Sequence, residues 1–225
     1  MKIDRTKPIL TVAILAVTAA MFVAEIVTGA WRNTYMLVMM GARENVLITY
    51  GEWWRLITPI FLHGSVQHIV FNMLSLWIWG RYAEIMQGRV RYGLIYLLSG
   101  IAGNVLGYAF SSPHSVAVGA SGAVFGLFGS FLYLRLYDKE IFNRVFGKQV
   151  IVLVIANLAM SVFSPGIDLW GHVGGLIGGF LIAAACGVYG SRAVTKWRVL
   201  GAAGYLSVFG GLLAFGYMKY LVLLG

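Results

Sequence analysis

Charge is the scarcest property of this chain. Only 11% of its 225 residues are charged, whereas 60% are hydrophobic, and the mean hydropathy is +0.82. Soluble domains are about 25% charged and about 45–50% apolar, so the composition excludes an ordinary soluble domain and indicates a polytopic membrane protein. A single cysteine, Cys186, lies in an apolar segment. An intrachain disulfide is therefore excluded, and cysteine usage does not indicate a redox compartment.

Acidic residues and metal-binding motifs are also scarce. The only aspartates are Asp4, Asp138 and Asp168, and no Gly-x-Gly-Asp motif occurs, so an intramembrane aspartyl dyad is unsupported. No His-Glu-x-x-His motif occurs either, which argues against a zinc protease, and we expect no metal and no cofactor. The net charge of +9 is spread over short gaps between apolar runs. Because no contiguous basic face results, we expect no nucleic-acid partner.

Seven apolar runs are candidates for membrane spans, since a helix needs about 20 residues to cross the bilayer. They cover roughly residues 8–29, 66–82, 92–110, 121–137, 149–164, 170–188 and 199–223. The first run follows basic residues, as in a secretory signal, but it exceeds the roughly 7–15 apolar residues of a signal peptide. We therefore expect an uncleaved first helix and one all-α membrane domain over residues 1–225.

The basic residues predict the topology of these spans. Of the 17 Lys and Arg residues, 13 lie before span one or after spans two, four and six. The positive-inside rule places those loops in the cytoplasm. We expect a cytoplasmic N-terminus, an extracytoplasmic C-terminus and residence in the lipid bilayer, with a bacterial inner membrane as the expected location. The first loop, about 36 residues rich in Trp and Tyr, is expected to lie partly in the outer leaflet.

Four polar side chains within the spans lie at one predicted depth. His68 and Asn72 are one turn apart in span two, Ser121 opens span four, and His172 is near the start of span six. The even-numbered spans all run inwards, so these residues share a slab just below the outer surface. Polar residues in spans are functional candidates because their burial in lipid is costly. Each has a structural alternative, such as a serine bonded to its own helix, but their common depth favours a site.

Glycines predict how these helices meet. Gly171, Gly175 and Gly179 recur on one face of span six, and Gly122 and Gly126 form a similar face on span four. Small residues spaced in this way allow membrane helices to pack backbone to backbone. Such packing is expected to bring Ser121 within hydrogen-bond reach of His172, roughly 2.6–3.2 Å. Packing alone is the structural alternative for these glycines.

Taken together, these residues resemble the rhomboid intramembrane serine proteases. The first loop adds a Trp-Arg motif at Trp54 and Arg55, and Glu84 resembles an acidic residue found after span two in that family. The remaining matches are Gly119-Ala120-Ser121-Gly122, His172 with Gly175 and Gly179, and His68 with Asn72. The resemblance covers about residues 8–188, and the further helix at about 199–223 is similar to the six-plus-one type of rhomboid.

The resemblance implies a rhomboid-like helical bundle and a serine endopeptidase. It implies Ser121 as nucleophile and His172 as general base and then general acid. It implies that the Ser121 backbone N–H and the side chains of His68 and Asn72 meet the oxyanion. The implied substrates are transmembrane proteins, cut near the outer end of a helix that reaches the site between spans two and five. Phe125 stands where some relatives carry a tyrosine stacked on the histidine.

Asp168 lies four residues before His172, and we interpret it as the N-cap of span six rather than as a catalytic residue. An outward-opening cavity is expected above the site, covered by the loop between spans five and six. Its expected polar lining is Gln67, Ser111, Ser112, His114 and Ser115.

Two other classes of function stay open at this point. A non-catalytic rhomboid relative would bind membrane helices, but such relatives lack the serine or the histidine, which this chain retains. A transporter or channel would need polar residues along a path through the bilayer, whereas the cytoplasmic halves of the spans are apolar.

Overall fold

The computed structural model describes residues 7–164, 166–187 and 195–224. It is an all-α membrane bundle, as the sequence predicts. Its α-helices are α1 (Ile9–Thr28), α2 (Thr34–Met39), α3 (Asn45–Thr49), α4 (Val66–Ser75), α5 (Arg81–Gln87), α6 (Arg89–Phe110), α7 (Ser121–Tyr137), α8 (Lys139–Val145), α9 (Gln149–Phe163), α10 (Leu169–Cys186) and α11 (Lys196–Leu224). The basic residues Lys2, Arg5 and Arg192, and the predicted end of span six at residue 188, lie outside the described residues.

Helices occupy all seven predicted spans, with three differences in detail. Among the described residues, α1, α6, α10 and α11 are each long and apolar enough to cross a membrane. The 17-residue α7 falls just short of this length, and the 15-residue α9 reaches it only together with α8, from which it is bent by 77°. Predicted span two is built from α4, a π-helical turn at Leu76–Gly80 and α5 in direct succession. Neither the bend nor the π turn is visible in the apolar pattern, which reports compatibility with lipid rather than helix geometry.

Polar side chains cap the first turn of five of these helices, among them α4, α8 and α10. Ser65 accepts a hydrogen bond from the His68 N–H at the start of α4, and Asp138 accepts one from the Ile141 N–H at the start of α8. Asp168 accepts from the Gly171 N–H and is therefore the N-cap of α10, as the sequence indicates. These caps satisfy N–H groups that have no carbonyl partner in the first helical turn.

The first loop folds into short elements that the sequence did not show individually. It holds α2, α3, three short 3-10 helices (Ala30–Arg32, Trp53–Leu56 and Thr58–Phe61) and a strand β1 (Arg43–Glu44) that pairs antiparallel with β2 (Val116–Ala117). The buried Arg55 guanidinium donates from Nη1 to the Val38 carbonyl at 2.6 Å and the Ala42 carbonyl at 2.9 Å. Internal bonds of this kind satisfy backbone groups that the bilayer cannot.

Glycine contacts join α6, α7 and α10 at the centre of the bundle. A Cβ at Gly175 would collide with the Gly122 carbonyl, and one at Gly179 with the Gly126 carbonyl. A Cβ at Gly103 of α6 would lie 2.5 Å from the Gly171 carbonyl oxygen. The helices therefore touch backbone to backbone, as the small-residue spacing predicts.

Helices α1 and α11 pack at the periphery and are attached through polar contacts. Glu84 accepts hydrogen bonds from the backbone N–H groups of Leu10 at 2.9 Å and Thr11 at 2.7 Å, and so caps α1 from α5. On α11, the Tyr220 hydroxyl donates to the Ser111 carbonyl at 2.8 Å and accepts from Asn45 at 3.1 Å. The last helix thus holds the first loop against the loop that follows α6.

Candidate active site

A cavity of about 1080 Å³ lies among α4, α7, α9 and α10. All four polar residues predicted to share one depth line it, namely His68, Asn72, Ser121 and His172. Four residues that follow α9 also line it, namely Ser164, Gly166, Ile167 and Asp168, as expected for a loop that covers the cavity. The topology therefore brings side chains from three separate helices to one space.

Ser121 is the first residue of α7, where backbone N–H groups have no partner within the helix. Just before it, Gly119 has φ +125°, a conformation that L side chains rarely adopt. The Gly119 N–H donates to the Pro59 carbonyl at 2.8 Å. The turn before α7 is thus fixed to the first loop, and the Ser121 N–H is left for another acceptor.

The ring of Phe125 connects the first turn of α7, which begins with Ser121, to His172. Phe125 is one helical turn after Ser121, and its ring stacks on the His172 imidazole with centroids 4.2 Å apart and planes inclined by 16°. Within the described residues, Ser121 and His172 do not form the hydrogen bond that the glycine spacing predicts. Hydrogen bonds of this kind commonly tighten only in the substrate complex.

The imidazole of His172 instead has a partner on α9. Its Nδ1 lies 2.7 Å from the Ser161 hydroxyl, and both residues are buried. The Ser161 hydroxyl also lies 2.7 Å from the Asn157 carbonyl oxygen, one turn back in α9. His172 is therefore held on one face by Phe125 and at one ring nitrogen by Ser161.

His68 and Asn72 approach the turn before Ser121 from α4. A Cβ at Gly119 would lie 2.6 Å from His68 Nε2 and 3.8 Å from Asn72 Nδ2, so glycine is required for this approach. Asn72 Nδ2 also donates to the His68 carbonyl at 3.0 Å. Two side-chain nitrogens capable of donating hydrogen bonds thus lie next to the backbone that carries Ser121.

A second histidine, His63, packs against the His68 ring. The buried His63 ring packs edge-on against the His68 ring with centroids 5.0 Å apart, and the His63 N–H donates to the Glu25 carboxylate at 3.0 Å. Burial, together with a smaller effect of the nearby His68 ring, lowers the pKa of His63 to about 3. His63 is accordingly a neutral packing residue that ties the first loop to α1.

Asp168 has a second role besides capping α10. Its Oδ2 lies 2.7 Å from Nη1 of Arg43, whose side chain is almost wholly buried. Arg43 belongs to β1, so this ion pair fixes the first loop to the start of the helix that carries His172. No hydrogen bond between Asp168 and the His172 ring occurs in the described part of the chain.

Several predicted residues lie away from the reacting groups. Ser112 and His114 do not line the cavity, in contrast to Gln67, Ser111 and Ser115. The Ser112 carbonyl accepts from Asn45, and the His114 side chain is 85% exposed near Glu44. Among the other supporting residues, Arg55 binds backbone carbonyls of the first loop, and Gly175 and Gly179 lie between α7 and α10. Trp54 is largely exposed.

The sequence of the chain matches a known family over most of this bundle. The family model described as Rhomboid domain matches residues 50–189, which include α4 through α10. This chain belongs to the rhomboid family.

Curated relatives carry the same family name. The chain is 44% identical over 210 residues to Rhomboid protease GluP of Bacillus subtilis (strain 168), covering 93% of this chain and 41% of GluP. It is 42% identical over 153 residues to RHOMBOID-like protein 4 of Arabidopsis thaliana, covering 67% of this chain and 38% of that relative. The chain thus spans about two fifths of the length of these relatives. Its family and its apolar helices make it an integral membrane protein.

The rhomboid bundle also contains polar residues whose contacts were not predicted from the sequence. Ser161 and Asn157 lie one turn apart within the apolar α9, Glu25 is buried in α1, and Arg43 is buried in the first loop. A polar residue inside an apolar helix is a sequence signal, and it could have identified Ser161, Asn157 and Glu25. Arg43 carries no such signal, because an arginine in a loop resembles any solvated charge until its partner is known.

Proposed function

We propose that this rhomboid chain is an intramembrane serine endopeptidase that hydrolyses peptide bonds in or near transmembrane helices of membrane proteins. The observation that carries the proposal is the convergence of Ser121, His172, His68 and Asn72 on one cavity, with Phe125 stacked on His172. The name of the relative GluP, a rhomboid protease similar over 93% of this chain, supports it.

In the proposed mechanism Ser121 Oγ attacks the scissile carbonyl carbon while His172 Nε2 accepts the hydroxyl proton. The carbonyl oxygen becomes an oxyanion that receives hydrogen bonds from the Ser121 backbone N–H, His68 Nε2 and Asn72 Nδ2. Collapse of this intermediate breaks the C–N bond, and His172 returns the proton to the leaving amine. Water then attacks the acyl-enzyme with His172 again as base, which releases the acid and restores Ser121.

The proposed reaction also has a defined orientation in the membrane. On the distribution of Lys and Arg, we place the N-terminus in the cytoplasm and the C-terminus and the site on the extracytoplasmic side. The similarity to a Bacillus subtilis relative supports a bacterial cell (inner) membrane as the location. Substrate helices would reach the site between α4 and α9, because side chains from both helices, such as Phe71 and Leu153, line the cavity.

Cleavage of a reporter membrane helix in proteoliposomes tests the proposal. Ser121→Ala and His172→Ala should each reduce cleavage to background, and His68→Ala or Asn72→Ala should lower kcat roughly 10²–10³-fold, as for loss of one oxyanion donor. Ser130→Ala is the matched control, because its buried hydroxyl donates to the Leu127 carbonyl of its own helix, and it should retain activity. Near-wild-type cleavage by Ser121→Ala would overturn the mechanism.

A further inference from the structure

The hydrogen bond between His172 and Ser161 determines which ring nitrogen carries the proton. Ser161 Oγ lies 2.7 Å from two atoms, the carbonyl oxygen of Asn157 and Nδ1 of His172. Both Ser161 and His172 are buried, at 6% and 8% exposure. Little of either side chain is therefore open to hydrogen bonding by water.

The two contacts of Ser161 Oγ determine where the protons of Ser161 and His172 lie. A hydroxyl has one proton to donate, and a carbonyl oxygen can only accept. The contact with Asn157 therefore uses the Ser161 proton, and the contact with His172 requires a proton on Nδ1, which donates to Ser161 Oγ. In the opposite arrangement Ser161 would donate to Nδ1, and two oxygen atoms would face each other at 2.7 Å with no proton between them.

A proton on Nδ1 leaves Nε2 of the neutral ring with a lone pair. The proposed mechanism needs a basic nitrogen on the side of the ring that receives the Ser121 proton. The Phe125 ring, stacked at 4.2 Å, restricts tilting of the imidazole, and the bond to Ser161 restricts its rotation. The same Nδ1–H bond persists when the ring becomes imidazolium.

We propose that Ser161 is a positioning residue that holds His172 in the Nδ1–H tautomer and so leaves Nε2 free to act as the base. The inference rests on the proposed function and deepens it. Ser161 then plays the orienting part that a buried aspartate plays in soluble Ser-His-Asp proteases, with a neutral hydroxyl in place of a carboxylate. The pair remains a dyad in chemistry, because Ser161 contacts neither substrate nor the reacting atoms.

Ser161→Thr and Ser161→Val form the matched pair that tests this role. Threonine and valine have nearly the same shape, so both variants disturb packing equally, but only threonine keeps the hydroxyl. We expect the Val variant to have a kcat roughly 3- to 10-fold below that of the Thr variant, the effect of losing one hydrogen bond. KM should be the same for both, because Ser161 does not bind substrate.

The tautomer itself gives a readout that packing alone would not change. Nitrogen-15 NMR of histidine-labelled protein separates the two neutral tautomers, and the His172→Ala spectrum identifies the His172 signals among the four histidines. The wild type and Ser161→Thr should show the Nδ1–H form, and Ser161→Val should show a mixture. Should both variants fail to fold, Ser161→Ala compared with Ser130→Ala gives the same contrast.

Equal kcat values for the Thr and Val variants, or an unchanged tautomer in the Val variant, would overturn the role of Ser161. Labelling of Ser121 by a fluorophosphonate separates this failure from failure of the proposed function. If Ser121 is labelled and Ser161→Val behaves like Ser161→Thr, only the positioning role is wrong. If Ser121 is not labelled in the wild type, the proposed function fails and the positioning role fails with it.

Discussion

Single residues around Ser121 and His172 have separable roles because each contacts a different part of the site. Phe125 covers one face of the imidazole, Asp168 caps the helix that carries it, and Gly119 leaves room for His68. The roles of Phe125 and Asp168 can each be tested by a substitution that removes one contact and keeps the rest.

Phe125 is expected to act through its ring alone. Phe125→Tyr keeps the stacked ring and should retain wild-type cleavage. Phe125→Leu removes the ring and should lower kcat/KM roughly 3- to 10-fold, the equivalent of an aromatic contact of about 0.5–1.5 kcal/mol. Steady-state cleavage of the reporter measures both, and a fully active Leu variant would show that stacking does not matter.

Asp168 is expected to serve stability rather than chemistry. Asp168→Asn can still accept from the Gly171 N–H, but it loses the charge that faces the buried Arg43 at 2.7 Å. We expect unfolding in denaturing detergent to become easier by about 1–3 kcal/mol, with kcat within about threefold of wild type.

Asp138→Asn, at the exposed N-cap of α8, is the control for this prediction and should change stability by less than about 0.5 kcal/mol, as is usual at the surface. Loss of turnover by Asp168→Asn with unchanged stability would instead make Asp168 part of the catalytic group.

At the scale of helices, backbone contact between α7 and α10 positions the site. Gly175→Ala places a methyl group against the Gly122 carbonyl and should destabilise the bundle by about 1–3 kcal/mol, as overpacking does. It should also lower kcat, because Ser121 and His172 lie on the two helices that separate. Gly210→Ala on α11 meets open space and should stabilise by about 0.5–1 kcal/mol. Equal unfolding curves for the two variants would contradict this packing.

The helices and the site differ in how far the sequence predicts them. Apolar run length and glycine spacing predict the seven helical segments and the contact of α7 with α10, because both depend on local pattern. The order within the first loop was not predicted, since β1 gains its partner β2 only after α6 brings Val116 next to Glu44. The Ser161–His172 bond was missed for the same reason, because its two residues meet only when α9 packs against α10.

At the scale of the whole molecule, the predicted topology determines which side of the membrane the cavity faces. Replacing Cys186, the single cysteine, by alanine gives a background for His114→Cys, in the exposed loop after α6, and Lys139→Cys at the start of α8. An impermeant maleimide added to intact cells should label position 114 only, and position 139 should react after permeabilisation. The reverse pattern would place the site on the cytoplasmic side.

The central claim is that Ser121 is a nucleophile activated by His172 within the membrane bundle. The most direct measurement is reaction of the folded protein with a fluorophosphonate, followed by mass spectrometry of the modified peptide. We predict one adduct at Ser121, formed at least roughly tenfold more slowly in His172→Ala, because the general base contributes typically 10²–10⁴-fold. An adduct at another residue, or equal labelling rates with and without His172, would contradict the account.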